Sequence, residues 1–249
     1  MSSSCGMGPP IPVFWESDMS SSIFFIPGYH GSGPDHWQNW LQSRLPDSSA
    51  LQGVDWKFPD ISAWTDQAHR QIAAVGSPVL VIAHSFGCLV AATVAAENPG
   101  PIAGILFVAP ADPRRFAASG GIRNTRFDGT SGQIPSVADI LPETLPFPVK
   151  SAMIGSENDP WLKFSDALAL KQRFRSHFID LGEVGHINAE SGFGAWPSLL
   201  LQLQRLRIGD VPDFSALHRS SLEPGDPYAH RNRIDVHRSS QLPALQFAL

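Results

Sequence analysis

Residues 78–94, PVLVIAHSFGCLVAATV, run from an apolar strand-like stretch through Ala83-His84-Ser85-Phe86-Gly87 into the helix-compatible residues Cys88, Leu89, Val90, Ala91 and Ala92. This places Ser85 at a strand-to-helix corner. A tight, strained turn of that kind lifts a serine hydroxyl out of a sheet when small residues stand two positions before and after it. Ala83 holds the first of those places, where glycine is usual, and Gly87 holds the second, letting the helix pack close to the strand. A lone small-x-Ser-x-Gly recurs by chance in apolar segments, so its surroundings decide its meaning.

Those surroundings alternate strand and helix, the signature of a mostly parallel sheet covered on both faces. Strands are expected at Ile23–Ile26, Val54–Phe58, Pro78–Ala83, Gly104–Ala109, Val149–Ile154 and His177–Leu181, and helices at about 35–45, 64–75, 86–97, 160–174 and 195–207. In the fourth helix Trp161, Leu162, Phe164, Ala167, Leu168 and Leu170 recur at three- and four-residue spacing, which predicts one buried face, with Pro160 at the first helical position. Residues 110–147 are too long for an ordinary connection and read as a lid or binding loop. The chain divides into a loose extension over 1–18, one α/β domain over 19–208 and a low-order tail over 209–249, whose apolar end, Leu242–Leu249, is suited to docking. Met19 is followed by the same Ser-Ser-Ser as Met1, and a start there would leave the domain complete.

A serine nucleophile needs a base within hydrogen-bond reach and a third group to orient the base. After the strand at 149–154, Gly155-Ser156-Glu157-Asn158-Asp159-Pro160 puts Asp159 in a strand-to-helix turn; after the strand at 177–181, Gly182-Glu183-Val184-Gly185-His186 puts His186 in the next. Asp159 also reads as a plain helix cap, Glu157 is a rival for the acid, and a histidine among glycines is often a surface residue. Their joint occurrence in the order serine, acid, histidine favours a catalytic set. The other histidines lack that placement, and His84 is expected to point away as the chain turns. The oxyanion donors are expected from the backbone N–H of Phe86 and, in the Gly-rich loop Pro27–Gly33, from Tyr29, with His30 second. That loop has neither a Lys-Ser/Thr pair nor G-x-G-x-x-G, which argues against phosphate binding, and His30, Asp35 and His36 lack a recognised metal-ligand spacing.

Pro27-Gly28-Tyr29, Asp35-His36-Trp37, Trp40-Leu41, Ala83-His84-Ser85-Phe86-Gly87-Cys88, Asn158-Asp159-Pro160 and Gly185-His186-Ile187-Asn188, in one order, resemble a known family. It is the small serine-hydrolase family of the α/β-hydrolase superfamily that includes retinoblastoma-binding protein 9, and the likeness spans about residues 20–207. The resemblance implies a single α/β-hydrolase domain with a mostly parallel sheet and no large lid domain, a triad of Ser85, Asp159 and His186, and esterase-like activity. Phe86 and Ala83 depart from the commoner Leu and Gly, and both terminal extensions lie outside the pattern.

The expected reaction is cofactor-free and metal-free hydrolysis of a small acyl ester through an acyl-serine. Trp37 and Trp161 are expected to wall the acyl site, alongside Tyr29, Phe86 and Trp196. Alternatives are a protein-binding module on a hydrolase scaffold, and an acyltransferase or peptidase using the same triad. Ser85 excludes an aspartate-nucleophile dehalogenase, and the place of Cys88 within the helix excludes a thiol hydrolase. With 18 Lys+Arg against 23 Asp+Glu, no basic surface points to nucleic acid or anionic lipid, so a small-molecule partner is expected; a protein partner is not indicated. Two cysteines, one in the extension and one in the nucleophile helix, make a disulfide framework improbable and point to the cytoplasm. No stretch approaches the roughly 18 apolar residues of a membrane span, and no signal peptide is read at the N-terminus.

Overall fold

The computed structural model describes residues 21–123, 134–146, 149–207 and 217. The expectations for 1–18 and for a start at Met19 fall outside the described residues, as does that for the tail 209–249 except at Leu217, which is buried in the core with Trp37, Leu41 and Leu199. Six parallel strands form one sheet in the order β2-β1-β3-β4-β5-β6: β1 Ser22–Ile26, β2 Ser48–Ala50, β3 Val79–Ser85, β4 Ile102–Pro110, β5 Ser151–Gly155 and β6 His177–Asp180. The helices are α1 Trp37–Gln42, α2 Ile61–Val75, α3 Phe86–Glu97, α4 Val137–Ile140, α5 Phe164–Arg173 and α6 Pro197–Arg207.

The four inner strands β1, β3, β4 and β5 are largely apolar and buried because both sheet faces are covered, whereas the edge strands β2 and β6 carry polar residues. Successive side chains of a strand point to opposite faces, so Val79, Val81 and Ala83 of β3 join the core beneath α2, α3 and α5, while Leu80 and Ile82 join that beneath α1 and α6. Phe24 and Ile26 of β1 fall in the first core, Ile23 and Phe25 in the second.

The chain lays β2 on one side of β1 and then returns to place β3 on the other. Such a reversal opens a crevice beyond the C-terminal strand ends, where parallel sheets bind ligands. The loop after β1 and the Ser85 turn after β3 both project there.

The second strand and the fourth helix depart from expectation. Val54–Phe58 is a run of turns, in which Asp55 accepts the N–H groups of Lys57 through its side chain (2.8 Å) and of Phe58 through its carbonyl (3.2 Å), and the second strand is Ser48–Ala50 instead. The fourth helix begins at Phe164, capped by Lys163, so Pro160, Trp161 and Leu162 precede it. Of its expected buried face Ala167 and Leu170 are buried, but Leu168 is exposed. The long excursion after β4 contains a 3-10 turn at Pro113–Arg115, antiparallel bridges Phe116↔Ile122 and Ala117↔Ser136, and α4, whose start Ser136 and Asp139 hold in a capping box. Its described parts form no separate domain.

Candidate functional site

Ser85 ends β3 with φ 54 and ψ −123, a left-handed φ that serine avoids outside special turns. The turn survives because its neighbours leave it no room. A Cβ on Gly87 would lie 2.4 Å from Ile26 O and 2.5 Å from Pro27 O, so α3 reaches the β1 loop only with glycine there. On the other side, a Cβ on Gly28 would lie 2.7 Å from Ser85 Cβ, which sets the β1 loop directly against the serine. Ala83 is buried within β3, in register with Ile26 and Phe107. Its methyl is therefore absorbed by the core.

The three residues expected from the sequence come together. Nε2 of His186 lies 2.8 Å from Ser85 Oγ, and Nδ1 of His186 lies 2.9 Å from both carboxylate oxygens of Asp159. Because a carboxylate only accepts, Nδ1 carries the proton and Nε2 of the neutral ring is free to accept from the serine hydroxyl. The Asp159 and His186 side chains are 4 % and 6 % exposed, so their interaction is little weakened by solvent. Asp159 also accepts the N–H of Trp161 at 2.8 Å, and it caps its own turn rather than α5. Glu157, the rival acid, is exposed, and its N–H donates to Gly182 O at 2.8 Å.

Three bonds lace the acid turn to the histidine loop. Besides that from Glu157, Val184 N–H donates to Ser156 Oγ (3.0 Å) and Gly185 N–H to Asn158 Oδ1 (2.7 Å). The sequence assigns no role to Ser156 or Asn158 beyond their place beside Asp159, because two polar residues in a turn carry no signal of a partner in another loop.

Residues 29–31 orient the proposed anion donors. His30 gives its N–H to Trp56 O (2.8 Å) and Gly31 gives its own to Gly28 O (2.8 Å), so His30 is not available as the second donor. Neither bond uses the N–H of Tyr29. Phe86 is the first residue of α3, and the first N–H groups of a helix have no intrahelical acceptor. The Phe86 side chain is wholly buried against Trp64 and Phe116, with ring centroids 5.1 and 4.6 Å away.

The two expected wall residues part company. Trp161 is half-buried with its ring 5.8 Å from the His186 ring; the Phe116 ring lies stacked 6.5 Å away and the Arg115 guanidinium lies over its face at 4.5 Å. Trp37 is 0 % exposed and packs edge-on against Trp196 and His84. It has no surface to offer a substrate, and its indole N–H donates to Ile187 O at 2.8 Å. Trp196 is likewise buried in the core.

His84 does not point away from the site. It is buried, its ring centroid is 4.9 Å from that of His186, and its Nε2 lies 3.0 Å from the backbone oxygen of His186. Burial, reinforced by the neighbouring His186 and His36, holds its pKa well below the ordinary histidine value. His36 follows the same pattern, with burial first and His186 second lowering it to about 4. Burial pushes the Cys88 thiol far above its usual range, which removes it as a competing nucleophile. Among the described residues no three His, Cys, Asp or Glu side chains gather so as to hold a metal ion, and no helix is long and apolar enough to cross a membrane.

The family pattern for serine hydrolases matches residues 23–205, a span that holds every residue of this site. The chain belongs to the serine hydrolase family. This small serine hydrolase of the α/β-hydrolase superfamily is similar to a solved protein from Pectobacterium atrosepticum described as a YdeN-like hydrolase. The two share 30 % identity over 77 % of this chain and 94 % of that one, with a TM-score of 0.62. The ydeN product of Bacillus subtilis shares the fold at 18 % identity, covering 75 % of this chain and 98 % of its own, with a TM-score of 0.54. The esterase domain of a Rhodothermus marinus protein does so at 16 % identity, over 77 % and 88 %, with a TM-score of 0.52. No curated protein matches this serine hydrolase significantly.

Proposed function

We propose that the chain is a cofactor-free carboxylic ester hydrolase in which Ser85 is the nucleophile, His186 the general base and acid, and Asp159 the group that orients the imidazole. The observation that carries this reading is the unbroken hydrogen-bonded series Asp159–His186–Ser85, at 2.9 and 2.8 Å, ending on a serine in a strained turn.

In the first half-reaction Ser85 Oγ attacks the ester carbonyl as its proton passes to His186 Nε2. Asp159 holds the Nδ1 proton and stabilises the imidazolium. The developing oxyanion is received by the N–H groups of Phe86 and Tyr29, each worth roughly 10²- to 10³-fold in rate. His186 then protonates the leaving alkoxide, and the acyl group remains on Ser85. In the second half, His186 deprotonates water, which attacks the acyl-serine and regenerates the hydroxyl. Trp161, half-buried beside the base with Phe116 packed behind it, supplies apolar surface for a small acyl group.

Nitrophenyl esters of increasing chain length, assayed on wild type and Ser85→Ala, test this reading. Turnover of the short esters that vanishes in the variant supports it. Equal rates in both proteins reject it, and acyl transfer to an added amine or alcohol in preference to water would reassign the acceptor.

A further inference from the structure

The His186 loop is held from beneath by two side chains that touch neither the hydroxyl of Ser85 nor the carboxylate of Asp159. His84 Nε2 lies 3.0 Å from the carbonyl oxygen of His186, and Trp37 Nε1 lies 2.8 Å from that of Ile187. A carbonyl can only accept, so both nitrogens donate, and two consecutive peptide oxygens are thereby fixed. The peptide between them is not one the chain adopts readily. Ile187, β-branched and 0 % exposed, sits at φ 50, a left-handed conformation that persists only where its surroundings impose it.

Both donors stand on rigid elements. His84 is a residue of β3, in register with Val108 of β4, and Trp37 opens α1; their rings meet edge-on with centroids 5.9 Å apart. His84 is also covalently next to Ser85. One strand end therefore sets the backbone of the nucleophile and, through an imidazole N–H, the backbone of the base.

We propose that His84 and Trp37 are positioning residues that clamp the 186–187 backbone and so hold the His186 imidazole in register with Ser85 Oγ. The proposal rests on the ester-hydrolase reading above. A misplacement of a reacting group by about 1 Å can cost on the order of 100-fold in rate, which sets the scale of the effect. A carbonyl clamp of this kind acts on turnover rather than on substrate affinity.

The test compares wild type, His84→Leu, His84→Gln and Trp37→Phe for kcat and KM on nitrophenyl acetate, for the rate of fluorophosphonate labelling, and for thermal midpoint. His84→Leu and Trp37→Phe are expected to lower kcat and the labelling rate by about 10- to 100-fold while KM stays near that of wild type. His84→Gln, whose amide keeps a donor at similar reach, is expected to recover most of that loss. A folded His84→Leu with wild-type kcat, or a His84→Gln as impaired as His84→Leu at equal thermal midpoint, overturns the proposal. Should His84→Leu fail to fold, Trp37→Phe decides, since it keeps an aromatic side chain while removing the indole N–H: unchanged kcat in that variant overturns the clamp. Wild-type protein that neither labels nor turns over ester would instead remove the hydrolase reading, and the clamp with it.

Discussion

Asn158 Oδ1 accepts the N–H of Gly185 at 2.7 Å, joining the turn that carries Asp159 to the loop that carries His186. The same oxygen also takes the hydroxyl of Ser156 at 3.0 Å, and Ser156 Oγ in turn receives Val184 N–H. Acid and base are thus held at a fixed separation by groups that do no chemistry themselves. Asn158→Ala should lower kcat about tenfold, the lower end of what removal of an orienting group costs, with a smaller change in KM. Steady-state kinetics on a nitrophenyl ester measure both; an unchanged kcat would show that the loops hold their spacing without this bond.

The choice of acid yields a sharp contrast. Asp159→Asn should reduce kcat by up to about 10⁴-fold, because an amide in this place favours the wrong imidazole tautomer. Glu157→Gln, on an exposed side chain two residues earlier, should leave kcat near wild type. Reversal of the two effects would transfer the role to Glu157.

Gly87→Ala places a methyl 2.4 Å from the carbonyl oxygen of Ile26. Backbone on both sides must move, and overpacking of this sort costs about 1–3 kcal/mol. Urea unfolding should report a loss of that size, and activity should fall with it because the shift acts on the Ser85 turn. A variant as stable as wild type would contradict the close approach of α3 to the β1 loop.

Stability should fall in mild acid. His36 is lowered by burial from its ordinary value of 6.5 to about 4, so between those limits the unfolded chain takes up a proton that the folded chain refuses. Its contribution is complete above pH 6.5 and is lost as pH falls towards 4, by about 3 kcal/mol at the lower limit. His84, lowered in the same direction, adds to the slope. Nδ1 of His36 accepts the Gln38 N–H at the start of α1, a bond an asparagine oxygen can replace. His36→Asn should therefore keep the helix cap and flatten the dependence of the urea midpoint on pH between 6.5 and 4. An equally steep dependence in that variant would assign the titration elsewhere.

Much of the site was legible because a parallel sheet delivers its loops to one end, so a serine, an acid and a histidine each following a strand must converge. What escaped was set by contacts between distant segments. Ser48–Ala50 is a three-residue edge strand without hydrophobic signal, whereas Val54 and Trp56 pack on the core from turns and imitate a strand in sequence. The start of α5 moves to Phe164 because the stretch before it serves the site: Asp159 binds Trp161 N–H, and the Pro160 carbonyl accepts from Arg115 at 3.1 Å. His84 and Trp37 were misjudged for a related reason. Their N–H groups act on carbonyls 102 and 150 residues away, which no local spacing can show.

The central claim is that Ser85 is the nucleophile, activated by His186. Fluorophosphonate treatment of the folded protein, followed by mass spectrometry of its peptides, tests it most directly. A single adduct on Ser85, abolished in Ser85→Ala and strongly slowed in a folded His186→Ala, is the predicted result. A folded wild-type protein that stays unlabelled, or that carries the adduct on another residue, would contradict it.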